Sequence, residues 1–373
     1  MLIDKNSERK LLQICHGKLI PEYSSAYALR CVRYLKGWQQ RSVISVGGLI
    51  FKDQTSGQVS QFRSLLLTGL AIIMGGRSLE VLISRGTLLR GQYRNTLERE
   101  VKNSEIIVLE GPWQYPLIKD KVDNKLVVYD AHNVESTLRK GNKWEGYVRE
   151  LEKQLALRAD LIITVSESDA KEFVEHLGVS VSKVVSIPEG FEKSKLPWNG
   201  IRSREIAFIG SAYLPNIDAA KRVIKLASDL PKFKFKIIGS VCNAVEKRGI
   251  PRNVSLLGVL NDEQKSLELS TSLLALNPVQ IGSGRNLKIN DYVSHGIPLI
   301  TTEIGSRGFQ SELRQLFFIT DLDNFKEKIN EVSESVDLLA SRSDEMRQYA
   351  ERNDYSSTQK IAYETISRLM KTS

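Results

Sequence analysis

The sequence predicts an α/β protein of two doubly wound domains, on three observations. Strand-like apolar runs alternate with helical segments, separated by crossovers of ten or more residues, which is the pattern of parallel sheets covered on both faces. The alternation stops over residues 191–203, where Lys, Pro, Trp, Asn, Gly and Ser follow one another without periodicity, and then restarts. A chain of 373 residues also exceeds what one hydrophobic core ordinarily holds. The expected division is a first domain over 1–190, a linker over 191–203, a second domain over 204–353, and a final helix over 354–373 free to pack on either domain, the N-terminal one included.

In the first domain, residues 10–15 read as an apolar strand that runs into a loop over 16–25. Ser24 or Ser25 then caps a helix to about Trp38, with Ala28, Cys31, Val32 and Leu35 inward and Arg30, Arg33 and Lys36 in an exposed basic row. Strands are expected over 43–46 and 80–84, an apolar helix over 62–74 and a further helix over 88–101. The runs 105–109 and 126–130 are strands, the second followed by Ala131, His132, Asn133, Val134 and Glu135, with Glu135 a first-turn acid of a long amphipathic helix reaching Arg158. Strands over 161–165, with a polar exit at Ser166, and over 184–187, closed by Pro188-Glu189-Gly190, complete this half.

The second domain has strands over 205–209, 235–238, 254–257, 272–276, 298–301 and 316–320. Gly210, Gly239 and Gly258 end strands on one side, and open α/β sheets bind ligands outside the carboxyl ends of their strands. The most informative stretch is Gly282-Ser283-Gly284-Arg285-Asn286-Leu287-Lys288, which leads from a strand into a helix. Its glycines leave backbone N–H groups open at a positive helix end, and Arg285 and Lys288 add full charges, so phosphate is the expected guest. Asp291, on the same side of the helix as Lys288, offers an acceptor for the two hydroxyls of a ribose.

Charge is unevenly placed. Residues 1–100 carry 15 Lys/Arg against 7 Asp/Glu, so nearly all of the net charge of +9 lies there. This region is expected to face an anionic membrane surface or a phosphorylated acceptor; its basic residues are not interleaved with aromatics, which argues against nucleic acid. Arg63 and Arg77 flank the apolar helix, a pattern suited to reversible docking on anionic lipid. The longest apolar run, 65–76, is about half a bilayer span. Cys15, Cys31 and Cys242 sit in apolar patterns without C-x-x-C spacing, which points to reduced structural thiols and away from a zinc site. The N-terminus lacks a signal-peptide core, and a cytoplasmic location, on the cytoplasmic face of a membrane, is expected.

The second half resembles the donor domain of GT-B-fold glycosyltransferases of family 4, through Ile206-Ala207-Phe208-Ile209-Gly210, Ile237-Ile238-Gly239, Val254-Ser255-Leu256-Leu257-Gly258, the stretch from Asn277 to Asp291, and Gly296-Ile297-Pro298. Tyr129-Asp130-Ala131-His132-Asn133-Val134-Glu135, Thr164-Val165-Ser166 and Pro188-Glu189-Gly190 are similar to segments of its acceptor domain. The resemblance implies a GT-B architecture, two Rossmann-like domains facing across a cleft. It also implies hexosyl transfer from a UDP- or GDP-linked sugar to a hydroxyl of a glycan or lipid-linked acceptor, in polysaccharide or glycolipid biosynthesis. Anomeric configuration would be retained, with no metal and no cofactor beyond the nucleotide sugar itself. Gly210, Asn216, Gly239, Gly282, Ser283, Gly284, Arg285, Asn286, Leu287, Lys288 and Asp291 would bind the donor. His132 would be the catalytic residue, with Asp130 orienting it or capping the following helix, and His16, Gly17, Glu22 and Tyr23 would form an acceptor or phosphate loop.

Two departures carry expectations of their own. The family's paired glutamates fall on Ser283 and Asp291, and its cations after the Gly210 strand fall on Ser211 and Asn216, so Arg285 and Lys288 are expected to neutralise the diphosphate instead. The alternatives are an epimerase acting on a sugar nucleotide in the same fold and a non-catalytic sugar-nucleotide-binding homologue. A nicotinamide enzyme is disfavoured, since no Gly-x-Gly-x-x-Gly follows the first strand. Trp113, after Gly111-Pro112, is placed either to stack on a sugar or, as a single tryptophan more often does, to pack in the core or as a wedge, and His295 is expected on the surface.

Overall fold

The computed structural model describes residues 9–16, 26–35, 38, 40–45, 50–52, 79–85, 91–281 and 285–372, and divides into two units, Met1–Glu189 with Thr358–Ser373, and Gly190–Ser357. In the first unit the apolar runs become β1 (Leu11–Cys15), β2 (Arg41–Ser45), β3 (Ile50–Lys52), β4 (Ile106–Leu109), β5 (Leu126–Ala131), β6 (Leu161–Thr164) and β7 (Val184–Ser186). Their order is β3-β2-β1-β4-β5-β6-β7, parallel throughout except for the antiparallel edge pair β2 and β3. The chain winds to one side of β1 and then to the other, so the carboxyl ends of β1 and β4 part and leave a crevice, the usual binding place in such sheets.

Both faces of this sheet are dry. Leu12, Ile14, Ile107 and Leu109 pack with Leu97, Val101 and Leu155 on one side. Leu11, Ile106, Val108 and Val128 pack with Leu35, Trp38, Ala362, Ile366 and Met370 on the other. The last three come from the terminal helix Tyr355–Thr372, whose Tyr363 ring meets Trp38 edge-on at 5.5 Å. Burying Ile366 and Met370 contributes about 1.5–3 kcal/mol each. Ile361 is exposed, and Ala362 takes the inward position.

Four local expectations need correction. Leu79–Ser84 is a helix, not a strand, and buries Val81 and Ile83 against Trp113 and Leu151; a short apolar run fits either period. The long helix before Arg158 is two, Glu135–Leu138 and Glu145–Arg158, broken around Gly141 and Asn142. After β6 the chain does not simply exit: Ser166 caps the helix Glu167–Leu177 by accepting from the Asp169 amide at 3.1 Å, and Gly178 ends it at φ +72°. Strand β3 had no counterpart in the sequence pattern. The expected apolar helix over 62–74, with Arg63 and Arg77, lies outside the described residues. Among the described residues no helix is long and apolar enough to cross a membrane.

The second unit holds β8 (Glu205–Ile209), β9 (Lys234–Ile238), β10 (Val254–Gly258), β11 (Leu274–Asn277), β12 (Leu299–Thr301) and β13 (Phe318–Ile319), in the order β10-β9-β8-β11-β12-β13 and all parallel. Winding reverses between β8 and β11. Within 191–203 the chain is anchored to this unit: Phe191 bridges to Asp354, and the Trp198 indole donates to the Ser272 carbonyl at 2.7 Å.

Candidate active site

At the reversal point of the second sheet, the carboxyl ends of β8 and β11 border a cavity of about 400 Å³. Its wall includes Gly210, Asn216, Arg285, Asn286, Leu287, Lys288 and Asp291, and also Ser211, Tyr213, Val279, Ile281 and Arg307. Lys288 opens the helix Lys288–His295 and is buried, its Nζ donating to Asn216 Oδ1 at 2.6 Å and lying 4.6 Å from the centre of the Phe208 ring. Asn216 in turn donates to Ser211 Oγ at 3.0 Å. The ammonium therefore sits at the two positions, Ser211 and Asn216, where the sequence lacks cations. Burial pushes its pKa down to about 7, because among the described residues no carboxylate forms an ion pair with it.

Arg285 donates to Asn290 Oδ1 at 2.9 Å and lies over the Phe309 ring at 4.2 Å, so its aromatic support holds the guanidinium at the cavity wall. Asp291 Oδ1 is 3.1 Å from Lys265 Nζ. Asn286 donates to the Gly305 carbonyl at 2.9 Å. Gly239 is not on the wall; it shapes it. Its φ of +106° suits glycine alone, and a Cβ there would run into the Gly210 carbonyl. His295, expected on the surface, is buried with Nδ1 2.7 Å from the Asp291 carbonyl, because the last helical turn folds under the 191–203 stretch, where Trp198 N–H donates to His295 O.

The reversal point of the first sheet holds a second constellation, drawn from β1, β4, β5 and the helix Ala26–Arg33. His132, just after β5, has Nε2 2.7 Å from Glu110 Oε2. Glu110, just after β4, is buried, and its other oxygen accepts from Gln13 Nε2, which also donates to the Cys31 carbonyl at 2.9 Å. Asp130 takes neither role expected of it: Arg30 clamps it at 2.7 and 3.0 Å. Arg30 is thus buried under the Tyr34 ring at 4.1 Å and does not belong to an exposed basic row. The cause is electrostatic, since Asp130 without Arg30 would be an uncompensated buried charge. Burial would raise the Asp130 carboxyl, but the Arg30 charge outweighs it and holds the group down. Burial and the neighbouring Asp130 push Glu110 up.

His16 follows β1, with Nδ1 3.1 Å from the Glu110 carbonyl. A carbonyl only accepts, so Nδ1 carries the proton and Nε2 is an acceptor. Burial, then His132, push the His16 pKa down to about 3, which keeps the ring neutral. The His16, Tyr27 and His132 rings form a row at 4.3 and 4.7 Å. The turn carrying His132 is held from beneath by Glu152, which accepts from the amides of Glu135 and Ser136 at 2.8 and 2.9 Å. Cys31, Glu110 and His132 each place a ligand atom within 4.8 Å of the others. Tetrahedral zinc would hold a nitrogen and an oxygen ligand about 3.3 Å apart, so the 2.7 Å between His132 and Glu110 is a hydrogen bond and not a metal bite.

Residues 79–195 match the family model described as Glycosyltransferase Family 4. Comparison with curated proteins finds no match. Among solved structures, Anabaena HepE in complex with UDP is similar at 14% identity and TM-score 0.69, over 96% of this chain and 100% of that one. Sucrose-phosphate synthase from Thermosynechococcus elongatus is similar at 11% identity and TM-score 0.72, over 98% and 100%. A glycosyltransferase from Rickettsia africae is similar at 13% identity and TM-score 0.64, over 98% and 100%. The chain has the GT-B glycosyltransferase fold.

In this GT-B-fold chain the sequence-predicted residues are distributed unevenly. Seven of the predicted donor residues line the cavity: Gly210, Asn216, Arg285, Asn286, Leu287, Lys288 and Asp291. Gly282, Ser283 and Gly284, and Gly17, Glu22 and Tyr23 of the proposed acceptor loop, lie outside the described residues. His16 and His132 come together through Glu110 and Tyr27. Sequence reasoning missed Arg307, which reaches the cavity from the turn after β12, and it missed Gln13, Arg30 and Glu110, which read as strand, helix-face and strand-end residues. A buried-strand glutamine and a glutamate before Gly111-Pro112 were the available signals, since polar groups in such places need partners.

Proposed function

We propose that the protein is a retaining, metal-independent hexosyltransferase that moves a sugar from a UDP-linked donor to a hydroxyl of a glycan or lipid-linked acceptor. The observation that carries the reading is Lys288: a buried ammonium on a cavity wall at a sheet's reversal point, held by an amide and without a carboxylate partner among the described residues. Such a cation is completed by an anion, and a diphosphate fits a wall that also presents Arg285 and Arg307. Asp291 would accept from the ribose. The choice of nucleotide is supported by HepE, whose structures contain UDP and UDP-glucose.

In the proposed reaction the bond between the sugar's anomeric carbon and the diphosphate oxygen breaks, the diphosphate leaves with the electron pair, and Lys288, Arg285 and Arg307 stabilise its charge. The acceptor hydroxyl bonds to the anomeric carbon from the face vacated, and its proton passes to the departing diphosphate. His132 is assigned to the transferred sugar on the family resemblance. Metal independence follows from the three cations.

A thermal-shift panel of sugar nucleotides tests the reading, since a ligand at a hundred times its Kd adds roughly 2.7 kcal/mol. UDP-sugars are expected to respond, and transfer to acceptor extracts should persist in chelator. A panel without any response would reject the reading; donor interconversion without transfer would make the protein an epimerase. Peripheral attachment to the cytoplasmic membrane face is proposed from the basic surplus of residues 1–100, less Arg30, which Asp130 occupies. Sedimentation with anionic but not neutral liposomes, lost at high salt, is the expected result.

A further inference from the structure

We infer that Glu110 is a positioning residue of the transfer reaction: it holds Nε2–H of His132, fixes the ring, and leaves Nδ1 as the nitrogen that meets substrate. The inference rests on the glycosyltransferase reading and adds a residue to it. Three observations support it. The Glu110 carboxylate is buried, so it does not itself meet substrate, and 2.7 Å to His132 Nε2 is a short, well-formed bond. Its partner oxygen is held by Gln13, so the carboxylate cannot swing away. Gln13 is locked in its turn, because its amide nitrogen also donates to the Cys31 carbonyl while its own oxygen makes no hydrogen bond among the described residues.

This chain of donors dictates direction. The Cys31 carbonyl accepts only, so Gln13 presents N–H to residue 110, and residue 110 must accept there. A carboxylate accepts on both sides and therefore takes a proton from His132 Nε2. An amide at 110 does not: its oxygen is claimed by Gln13, and its NH2 group then faces His132 Nε2. That nitrogen must become the acceptor, and the imidazole proton moves to Nδ1. Asp130, locked on Arg30, and neutral His16 act on His132 through space, and Tyr27, Cys31 and Glu135 are its other titratable neighbours among the described residues. None of them offers Nε2 a competing acceptor of comparable reach: Cys31 Sγ is 4.0 Å away.

The test is Glu110→Gln, which keeps size and shape. With a UDP-sugar donor, kcat is expected to fall by about 10- to 100-fold while the KM for donor stays within about threefold, the usual scale for removing an orienting partner. Nitrogen-15 NMR of the histidine rings should show His132 as the Nε2–H tautomer in the native protein and as Nδ1–H in Glu110→Gln. An unchanged tautomer, or an unchanged kcat, would overturn the inference. In the double variant Gln13→Leu with Glu110→Gln, the amide is free to turn its oxygen to His132, so the Nε2–H form should persist; appearance of the Nδ1–H form there would also overturn it, whether or not the single variant folds. The tautomer measurement needs no turnover, so a failure of the transferase reading is distinguishable from a failure of this one.

Discussion

Replacing Lys288 by methionine is expected to make the protein more stable and less able to bind nucleotide. Burial alone holds the ammonium down to about 7 from 10.5, an opposing effect on the order of 4–5 kcal/mol. The hydrogen bond to Asn216 and the Phe208 ring return about 2–3 kcal/mol of that. The remainder, about 2 kcal/mol, is released when an apolar side chain of similar length fills the site, and should raise Tm by about 4–8 °C at the scale of this unit. Binding moves the other way: losing one charge-assisted hydrogen bond to a diphosphate weakens UDP by roughly tenfold to a hundredfold. The pH dependence has a definite sign. Lys288 in the free protein has a depressed pKa, so stability rises with pH above about 7 as the buried ammonium loses its proton. A bound diphosphate draws that proton back, so UDP affinity should fall as pH rises above 7, by up to about tenfold per unit, and the methionine variant should lack this slope. Calorimetry in buffers of different ionisation enthalpy reads the proton uptake directly. A methionine variant that melts lower and binds UDP as tightly as the native protein would refute the reasoning.

Gly239→Ala should cost about 2–3 kcal/mol or more, from a backbone conformation reserved for glycine together with the collision at the Gly210 carbonyl, and UDP affinity should drop with it; denaturant unfolding alongside titration of UDP checks both. Arg30→Met, which strands Asp130 as a buried charge, should destabilise by about 3–5 kcal/mol, whereas an effect below 1 kcal/mol would mean the pair is open to water. Glu152, its pKa raised by burial to about 7 from 4.5 despite the Ser136 and Glu135 donors, contributes stability that is full below about pH 4.5 and lost as pH rises through 7. Between pH 5 and 8 the native protein should therefore lose stability relative to Glu152→Gln by on the order of 2–3 kcal/mol in denaturant titrations, and a gap that does not change with pH would contradict this.

The alternation of elements, and with it two sheets that are parallel but for one edge strand, was legible in the residues, because strands buried on both faces must be written as continuous apolar runs such as Leu11–Cys15 and Ile106–Leu109. One wall of the cavity was legible too, since Arg285, Asn286, Leu287, Lys288 and Asp291 are neighbours along one loop and helix, where local spacing fixes which groups share a surface. Short elements escaped it: Leu79–Ser84 fits both periods, and β3 has too few residues to show one. The pairing of polar residues remote in the chain came from packing in three dimensions. Arg30 looked like one member of an exposed row because helical spacing is blind to a carboxylate 100 positions away. Glu110 and Gln13 looked like strand furniture, and Arg307 like loop. Strand order brings the ends of β1, β4 and β5 side by side, and there the cost of leaving a buried charge or amide unpaired selects its partners, a constraint that acts across space and leaves no period in the sequence.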